Sequence, residues 1–167
     1  MAKVGINIGS NLGNRRDNLR YAIQEIERRF DCKALRSSVY ETKSWGYLSD
    51  NPFFNIGIEI DVEGDYEQML DQFKEIELGI GCTTHRNSDG GYIDRLLDID
   101  IIYIDNQVLD TEKLKVPHPR MQERDFVLLP VEELAPTWVH PLLHRTATEM
   151  LSDLRKTAEL SVNKTNL

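Results

Sequence analysis

Two aspartates within one apolar segment are the residues of this sequence best suited to chemistry. Asp98 and Asp100 interrupt the run RLLDIDIIY at residues 95–103, whose β-branched and apolar content predicts a strand. Because successive side chains of a strand point to opposite faces, we expect the two carboxylates side by side on one face and the apolar residues on the other. Adjacent carboxylates suit Mg²⁺, which relieves their mutual repulsion. A half-exposed strand with a solvated polar face explains the pattern equally well.

A second candidate group is the segment VPHPRMQER at residues 116–124. Two prolines constrain the backbone on either side of His118. Arg120 and Arg124 follow at a spacing of four residues, which predicts that they lie on one side of a helical turn. In an acidic chain, this concentration of positive charge suits a polyphosphate. A surface turn with ordinary solvated arginines is the alternative.

A ring beside an amide forms a third candidate group. Residues 53–62 alternate apolar side chains with polar or small ones, which predicts a strand with Phe53 and Asn55 on its polar face. There the ring can stack on a flat heterocycle while the amide reads its edge, although an exposed sheet face would look the same. The loop before this strand carries Thr42 and Trp45. It fits either a lid over a flat ligand or a hairpin loop whose Trp covers the core.

These groups need a scaffold that brings them to one surface. The alternation from Val4 to Ile8 predicts a first strand, and the loop GSNLGN after it is either a phosphate site at a helix N-terminus or a plain connector. Glu77 lies in the last turn of a predicted helix, where the dipole disfavours it, so we expect a partner outside the helix or solvation. The predicted elements are strands over 4–8, 32–40, 53–62, 95–103 and 107–116, helices beginning after Asn14, Asp65 and Thr146, and a long polar loop over 81–91.

Composition excludes several classes of protein. The chain has 167 residues, 40% hydrophobic and 29% charged, so we expect one domain over residues 1–160 and a frayed tail over 161–167. A formal net charge of -8 argues against a nucleic-acid-binding surface, which is basic. Cys32 and Cys82 form no Cys-x-x-Cys pair, which indicates neither a disulfide framework nor a zinc site and fits the cytoplasm. No apolar run approaches the ~20 residues of a membrane span.

Several of these motifs occur together in a fixed order. They are Gly9 to Gly13 (GSNLG), Tyr40 to Thr42 (YET), Phe53 to Asn55 (FFN), Glu77, Arg95 to Asp100 (RLLDID), Val116 to Met121 (VPHPRM) and Arg124 to Leu128 (RDFVL). With these motifs the sequence resembles the 6-hydroxymethyl-7,8-dihydropterin pyrophosphokinase family of the folate pathway, over residues 4–141.

The resemblance implies a fold and an activity. The implied fold is α/β (α+β), with a ferredoxin-like βαββαβ core and an added C-terminal hairpin and helices. The implied activity is transfer of pyrophosphate from ATP to the hydroxymethyl group of 6-hydroxymethyl-7,8-dihydropterin, with release of AMP. The expected partners are ATP, the pterin and two Mg²⁺ ions, without nucleic acid or a membrane, and the expected state is a cytoplasmic monomer.

The resemblance also implies roles for individual residues. Asp98 and Asp100 would hold the two Mg²⁺ ions, with Arg95 near the transferred group. Arg86 lies where the chain departs from the family pattern, and it is our own candidate for a catalytic loop cation. The implied pterin-binding residues are Thr42, Trp45, Phe53, Asn55, Tyr92 and Phe126. The implied ATP-binding residues are Glu77, His118, Arg120 and Arg124. No residue stands out as a general base, and none is assigned. The loops over 43–51 and 82–94 resemble the family's mobile lids.

The chain departs from the family pattern after the helix that carries Glu77. The family commonly has Gly-Arg-x-Arg there, whereas this chain has GCTT at residues 81–84, so Arg86 is the nearest arginine. Tyr92 stands where the family usually has Trp. Two other functions are the alternatives: a non-catalytic ferredoxin-like nucleotide or single-strand binding module, and a Mg²⁺-dependent phosphohydrolase. AMP formed only in the presence of pterin would exclude both.

Overall fold

The computed structural model of the chain describes residues 1–43, 50–81, 94–158, 160 and 162–167. Within these ranges the elements are β1 (Ala2–Ser10), α1 (Arg15–Arg29), β2 (Leu35–Thr42), β3 (Phe53–Val62), α2 (Tyr66–Gly79), β4 (Asp98–Ile104), β5 (Leu109–Asp110), β6 (Lys115–Val116), a 3₁₀ turn (Met121–Glu123), α3 (Asp125–Leu134), α4 (Ala147–Thr157) and β7 (Val162–Thr165). No helix in these ranges is long and apolar enough to span a bilayer.

Five of the strands form an antiparallel sheet in the order β4-β1-β3-β2-β7. The first six elements run βαββαβ, which confirms the predicted ferredoxin-like core. The apolar side chains of central strand β1, including Val4, Ile6 and Ile8, enter the core that α1 and α2 cover. Alternation therefore places the intervening β1 residues on the opposite face of the sheet.

The helices begin where the capping residues predict. The Asn14 side chain accepts a hydrogen bond from the backbone of Asp17 at the start of α1, and Asp65 accepts two at the start of α2. Thr146 and Glu149 form a capping box at the start of α4. On α1, the apolar stripe is fully buried, and each such aliphatic side chain contributes about 1.5–3 kcal/mol. Local capping and the buried stripe thus specify the same elements.

Strand β4 contains one extra residue. Gly5 pairs with Tyr103 and Ile6 pairs with Ile101, so Ile102 has no counterpart on β1 and forms a β-bulge. As predicted, the apolar residues before the bulge, Leu97, Ile99 and Ile101, face the core under α1 and α2. Because of the bulge, Ile102 and Tyr103 both face the second core, which α3 and α4 cover.

Helix α3 packs directly on the sheet at a glycine. A Cβ at Gly57 would lie 2.4 Å from the Pro130 side chain, so the missing side chain makes room for the helix. The sequence analysis does not predict α3, because Pro130 lies inside it and proline disfavours a helix interior. Burial of Pro130 and its neighbours against the sheet offsets the one backbone hydrogen bond that this proline removes.

Two expectations for the C-terminal third are wrong. Residues 162–165 do not fray but form β7, which pairs with β2 and receives a hydrogen bond from Arg16 on Thr165 Oγ1 at 3.0 Å. The single strand expected over 107–116 is instead the short hairpin β5–β6. The polar residues between these strands form a turn, in which the Leu114 N–H donates to Thr111 Oγ1 at 3.0 Å.

Candidate active site

The predicted site residues on the strands, including Asn55, Asp98 and Asp100, lie in rows across the sheet, on the face opposite α1 and α2. One row pairs Tyr40 with Asn55, Asn55 with Gly9, and Gly9 with Asp98. In the next row, Asn7 pairs with Gly57 on one side and with Asp100 on the other. Residues opposite one another in adjacent strands have neighbouring side chains. The amide and the carboxylates that the sequence analysis selected separately therefore share one surface.

Burial, the repulsion between the two aspartates and two nearby arginines set the electrostatic environment of Asp98 and Asp100. Arg95 Nη1 lies 3.0 Å from Asp98 Oδ2, and the Arg95 side chain is only 8% exposed. Burial and the charge of Asp98 raise the pKa of Asp100 to about 7, against the opposing effects of Arg124 and Arg95. A further positive charge beside Asp100, such as a divalent cation, would favour its ionised form.

The carboxylates fit a divalent cation that also binds a phosphate chain. Asp98 and Asp100 lie side by side on β4 and are half-buried. Within the ranges that the structure describes, no group of three or more His, Cys, Asp or Glu side chains is placed to hold a metal. Mg²⁺ is commonly bound by one or two carboxylates while waters and substrate phosphates complete its octahedron. The pair therefore suits Mg²⁺ brought in with a nucleotide.

Glu77 supports the strand that carries the aspartates. Its side chain is buried, and Glu77 Oε1 accepts a hydrogen bond from the backbone N–H of Ile99 at 2.8 Å. Of the two alternatives for Glu77, a partner outside α2 or solvation, this buried contact supports the partner. Because Ile99 lies between the two aspartates in sequence, the contact fixes the backbone from which both carboxylates project.

The loop after β1 holds the segment of Arg95. Asn11 Oδ1 accepts from the Arg95 N–H at 2.7 Å, and the Asn11 N–H donates to the Arg95 carbonyl at 3.1 Å. From α1, the Asn18 side chain donates to the Leu96 carbonyl at 3.1 Å and to the Leu12 carbonyl at 2.9 Å. Of the two functions open for this loop, the connector is the one these contacts support. Asn11 and Asn18 are not among the predicted site residues, although two asparagines in and just after a strand–helix loop are a signal for such capping.

Two of the predicted pterin residues, Thr42 and Phe53, lie next to Asn55 in the sheet. Thr42 pairs with Phe53, and the Thr42 hydroxyl is buried with no hydrogen-bond partner among the described residues. The Arg95 guanidinium lies 5.8 Å from the centre of the Phe53 ring. Phe126 is half-buried in the first turn of α3. It lies on the same helix face as Pro130, four residues later, and this face packs on the sheet.

The predicted ATP residues other than Glu77 lie between β6 and α3. The His118 N–H donates to the carbonyl of bulge residue Ile102 at 2.8 Å. Burial and the charge of Arg124 lower the pKa of His118 to about 4, so its imidazole is neutral at neutral pH. The prediction that Arg120 and Arg124 share one side of a helical turn is wrong, because Arg124 is buried while exposed Arg120 lies before the 3₁₀ turn and pairs with Glu123 at 3.2 Å.

Three predicted site residues, Trp45, Arg86 and Tyr92, lie outside the described residues. The same holds for most of the two predicted lids.

Comparison with known proteins decides the family. The model of the family described as 7,8-dihydro-6-hydroxymethylpterin-pyrophosphokinase (HPPK) matches residues 5–136. The chain belongs to this pyrophosphokinase family. A 2-amino-4-hydroxy-6-hydroxymethyldihydropteridine pyrophosphokinase from Porphyromonas gingivalis is 36% identical over 142 residues, which cover 84% of this chain and 95% of the relative. A protein of the same name from Aquifex aeolicus is 32% identical over 149 residues, covering 89% of this chain and 90% of the relative.

Larger proteins contain a similar region. The folic acid synthesis protein FOL1 of Dictyostelium discoideum is 35% identical over 147 residues, but the match covers only 22% of that protein and 87% of this chain. A solved HPPK-DHPS structure in complex with substrates has a TM-score of 0.72 at 12% identity and covers 94% of this chain and 46% of that one. The pyrophosphokinase thus shares its fold with under half of that chain. The family supports an ATP-dependent diphosphotransferase of folate biosynthesis and favours neither alternative function.

Proposed function

We propose that this pyrophosphokinase transfers pyrophosphate from ATP to 6-hydroxymethyl-7,8-dihydropterin on the sheet face that carries Asn55 and Asp98. The supporting observation is the cross-strand row in which Gly9 alone separates these two residues. Two strand spacings separate their backbones by about 10 Å. That span suits a flat bicyclic ring lying over Gly9, with its hydroxymethyl group directed toward the aspartates.

In this proposal the pterin lies between aromatic rings and is oriented by polar groups. Phe53 and Phe126 stack on its two faces, and Asn55 reads its amide edge. The buried Thr42 hydroxyl, which has no partner in the described part of the chain, supplies a further hydrogen-bonding group beside the ring. Burial of a polar atom without a partner costs about 1–3 kcal/mol, a cost that a bound heterocycle would remove.

The triphosphate would lie over β4 and the start of α3. Buried Arg124 supplies a fixed charge, while His118 is neutral and acts as a hydrogen-bonding group rather than as a cation. Arg95 is already held by Asp98 and by the Asn11 loop, so its charge is positioned before the phosphates arrive. Asp98 and Asp100 would hold two Mg²⁺ ions. When bound, these ions neutralise the triphosphate and orient the β-phosphorus for in-line attack.

Residues outside the described ranges complete the proposal. Trp45 and Tyr92 would close over the pterin, and Arg86 would supply the loop charge that the family's arginines usually provide.

Glu77 and Arg120 would complete the ATP site, Glu77 by positioning β4. The protein would act as a monomer in the cytoplasm, and light scattering of the purified protein tests the monomer.

The decisive experiment measures AMP release from ATP and Mg²⁺ with and without 6-hydroxymethyl-7,8-dihydropterin. We expect AMP and the pterin diphosphate in equal amounts, and only when both substrates are present. ADP and phosphate formed without pterin would indicate a phosphohydrolase instead. Binding of ATP without any product would indicate a non-catalytic module.

A further inference from the structure

A second asparagine lies beside the one proposed to read the pterin. Asn7 on β1 donates its side-chain NH₂ group to Asn55 Oδ1 on β3, at 3.0 Å, and the contact is buried. Neither residue is more than 5% exposed. The contact links the row of Asp98 to the row of Asp100, because Asn7 pairs with Asp100 across β1 and β4.

The contact fixes which half of the Asn55 amide faces a ligand. A Cβ at Gly9 would lie only 2.7 Å from Asn55 Oδ1, so the missing side chain of Gly9 leaves room for this oxygen. The hydrogen bond from Asn7 holds the oxygen in that space beside β1. The carbonyl half is therefore held on the β1 side. The NH₂ half makes no hydrogen bond with the rest of the described chain, so it is the half left to meet a ligand.

Stability does not explain an asparagine at this place. Asn7 Oδ1 is buried and has no hydrogen-bond partner among the described residues. Leaving a buried acceptor unpaired costs about 1–3 kcal/mol, more than a single neutral hydrogen bond contributes net. A small apolar residue at position 7 would remove this unpaired acceptor but leave the buried Asn55 Oδ1 without its donor, so stability gives no clear preference for asparagine and the contact with Asn55 is the effect that distinguishes it.

We propose that Asn7 is a positioning residue that sets substrate specificity by holding the Asn55 amide with its NH₂ group toward the ligand. The site then accepts a heterocycle that presents a hydrogen-bond acceptor there, such as a ring carbonyl, and rejects one that presents a donor. This inference rests on the proposed function, since it assumes that Asn55 contacts the pterin. It adds a residue from β1 to the determinants of specificity.

The test compares two ligands that differ at one group. 6-Hydroxymethylpterin carries a ring carbonyl, and 2,4-diamino-6-hydroxymethylpteridine carries an amino group in its place. Calorimetric titration, with Mg²⁺ and a non-hydrolysable ATP analogue present, gives the ratio of their dissociation constants for each enzyme. We expect the wild type to favour the carbonyl ligand by at least about tenfold, because the wrong ligand leaves buried polar groups unpaired.

Two variants of Asn7 test the mechanism. In Asn7→Ala the Asn55 amide is free to turn, so the ratio should fall about tenfold, which is the loss of about 1.4 kcal/mol of discrimination. In Asn7→Asp the carboxylate accepts but cannot donate, so Asn55 should turn its NH₂ group inward and the ratio should fall further. Titration of the ATP analogue alone reports any effect of the added charge on the nearby aspartates.

Ser37→Ala is the matched control, since Ser37 Oγ accepts from the Gly57 N–H at 2.9 Å in the row of Asn7 but does not touch Asn55. Its ratio should equal that of the wild type. An unchanged ratio in both Asn7 variants, or an equal change in Ser37→Ala, overturns the inference. A wild type that binds both ligands without preference also overturns it. A wild type that binds neither ligand and releases no AMP would contradict the proposed function itself.

Discussion

Glu77 near the end of α2 accepts a hydrogen bond from the Ile99 N–H, 2.8 Å away, between the two aspartates of β4. Because β4 is an edge strand of the sheet, no neighbouring strand accepts the outward Ile99 N–H, and the Glu77 carboxylate accepts it instead.

Glu77→Ala should therefore lower stability by about 1–3 kcal/mol, since it leaves a buried N–H without its acceptor. Glu77→Gln retains an acceptor oxygen and should lose less than half as much. Urea denaturation of both variants measures the difference. Equal losses would mean that the charge of Glu77, and not its hydrogen bond, supports the strand.

Replacing either aspartate by asparagine should reduce AMP formation by about 100-fold or more, because the stabilisation that bound metal ions provide is worth several kcal/mol. Without Mg²⁺, Asp100→Asn should hold or raise the melting temperature, since it relieves repulsion with Asp98. Asp98→Asn should gain less, because it also removes the ion pair with buried Arg95. Near-normal AMP formation by either variant would contradict the metal assignment.

Phe53→Ala and Asn55→Ala should each weaken pterin binding by about tenfold to a hundredfold and change ATP binding little. The reason is that both side chains lie on β3, which β1 separates from the strand of the aspartates, over which the triphosphate is proposed to lie. Calorimetric titration of each ligand separates the two affinities. Phe30→Ala is a control, because Phe30 packs edge-on against Phe73 on the other side of the sheet, 5.8 Å between ring centres. It should lower stability without selective loss of either ligand.

Asn11→Ala should lower kcat more than it raises KM for either substrate. Asn11 holds the backbone of Arg95 through two reciprocal hydrogen bonds, so its loss displaces the Arg95 charge from the transferred group. Asn14→Ala, in the same loop, removes a helix cap and should cost about 1 kcal/mol of stability with kcat unchanged. If the two variants show the same kinetics, the loop affects catalysis only through general stability.

His140 should make stability depend on pH. Burial lowers the pKa of His140, and His140 Nδ1 accepts from the backbone N–H groups of Leu142 and Leu143 at 3.2 and 3.1 Å. The folded protein then binds this proton less tightly than the unfolded chain, so this contribution is fully present above about pH 6.5 and is lost as the pH falls below it. His140→Asn keeps an acceptor that does not titrate. Thermal melts from pH 8 to pH 5 should decline less steeply for this variant than for the wild type.

Local patterns predicted much of the fold because they depend on neighbouring residues. The alternation of β4 placed both aspartates on one face, and short capping sequences located the starts of α1, α2 and α4. The alternation changes phase only after Ile102, at Tyr103, because the bulge depends on pairing with β1, a strand far away in sequence. Helix α3 was missed for a similar reason, since Pro130 is tolerated only because Gly57 of another strand makes room for it.

Residues of the candidate site were predictable where the residue type alone indicates what the side chain can bind. Asp98, Asp100 and Asn55 meet that condition, and the rows of the sheet bring them to one face. Asn7 and Asn11 do not, because their importance arises from contacts with Asn55 and Arg95 that only the fold creates. The tail over 162–165 was misjudged because its pairing with β2 cannot be read from its own composition.

The bulge at Ile102 divides β4 into two parts whose side-chain alternation is offset by one residue. Without the extra residue, a change of register at Tyr103 would pass along the strand and rotate both aspartates into the core. The extra residue offsets the two ends of β4 by one position, so Tyr103 joins Ile102 in the second core while Leu97, Ile99 and Ile101 stay in the first. The carbonyl of this same residue accepts the His118 N–H, which ties the segment after β6 to that fixed point.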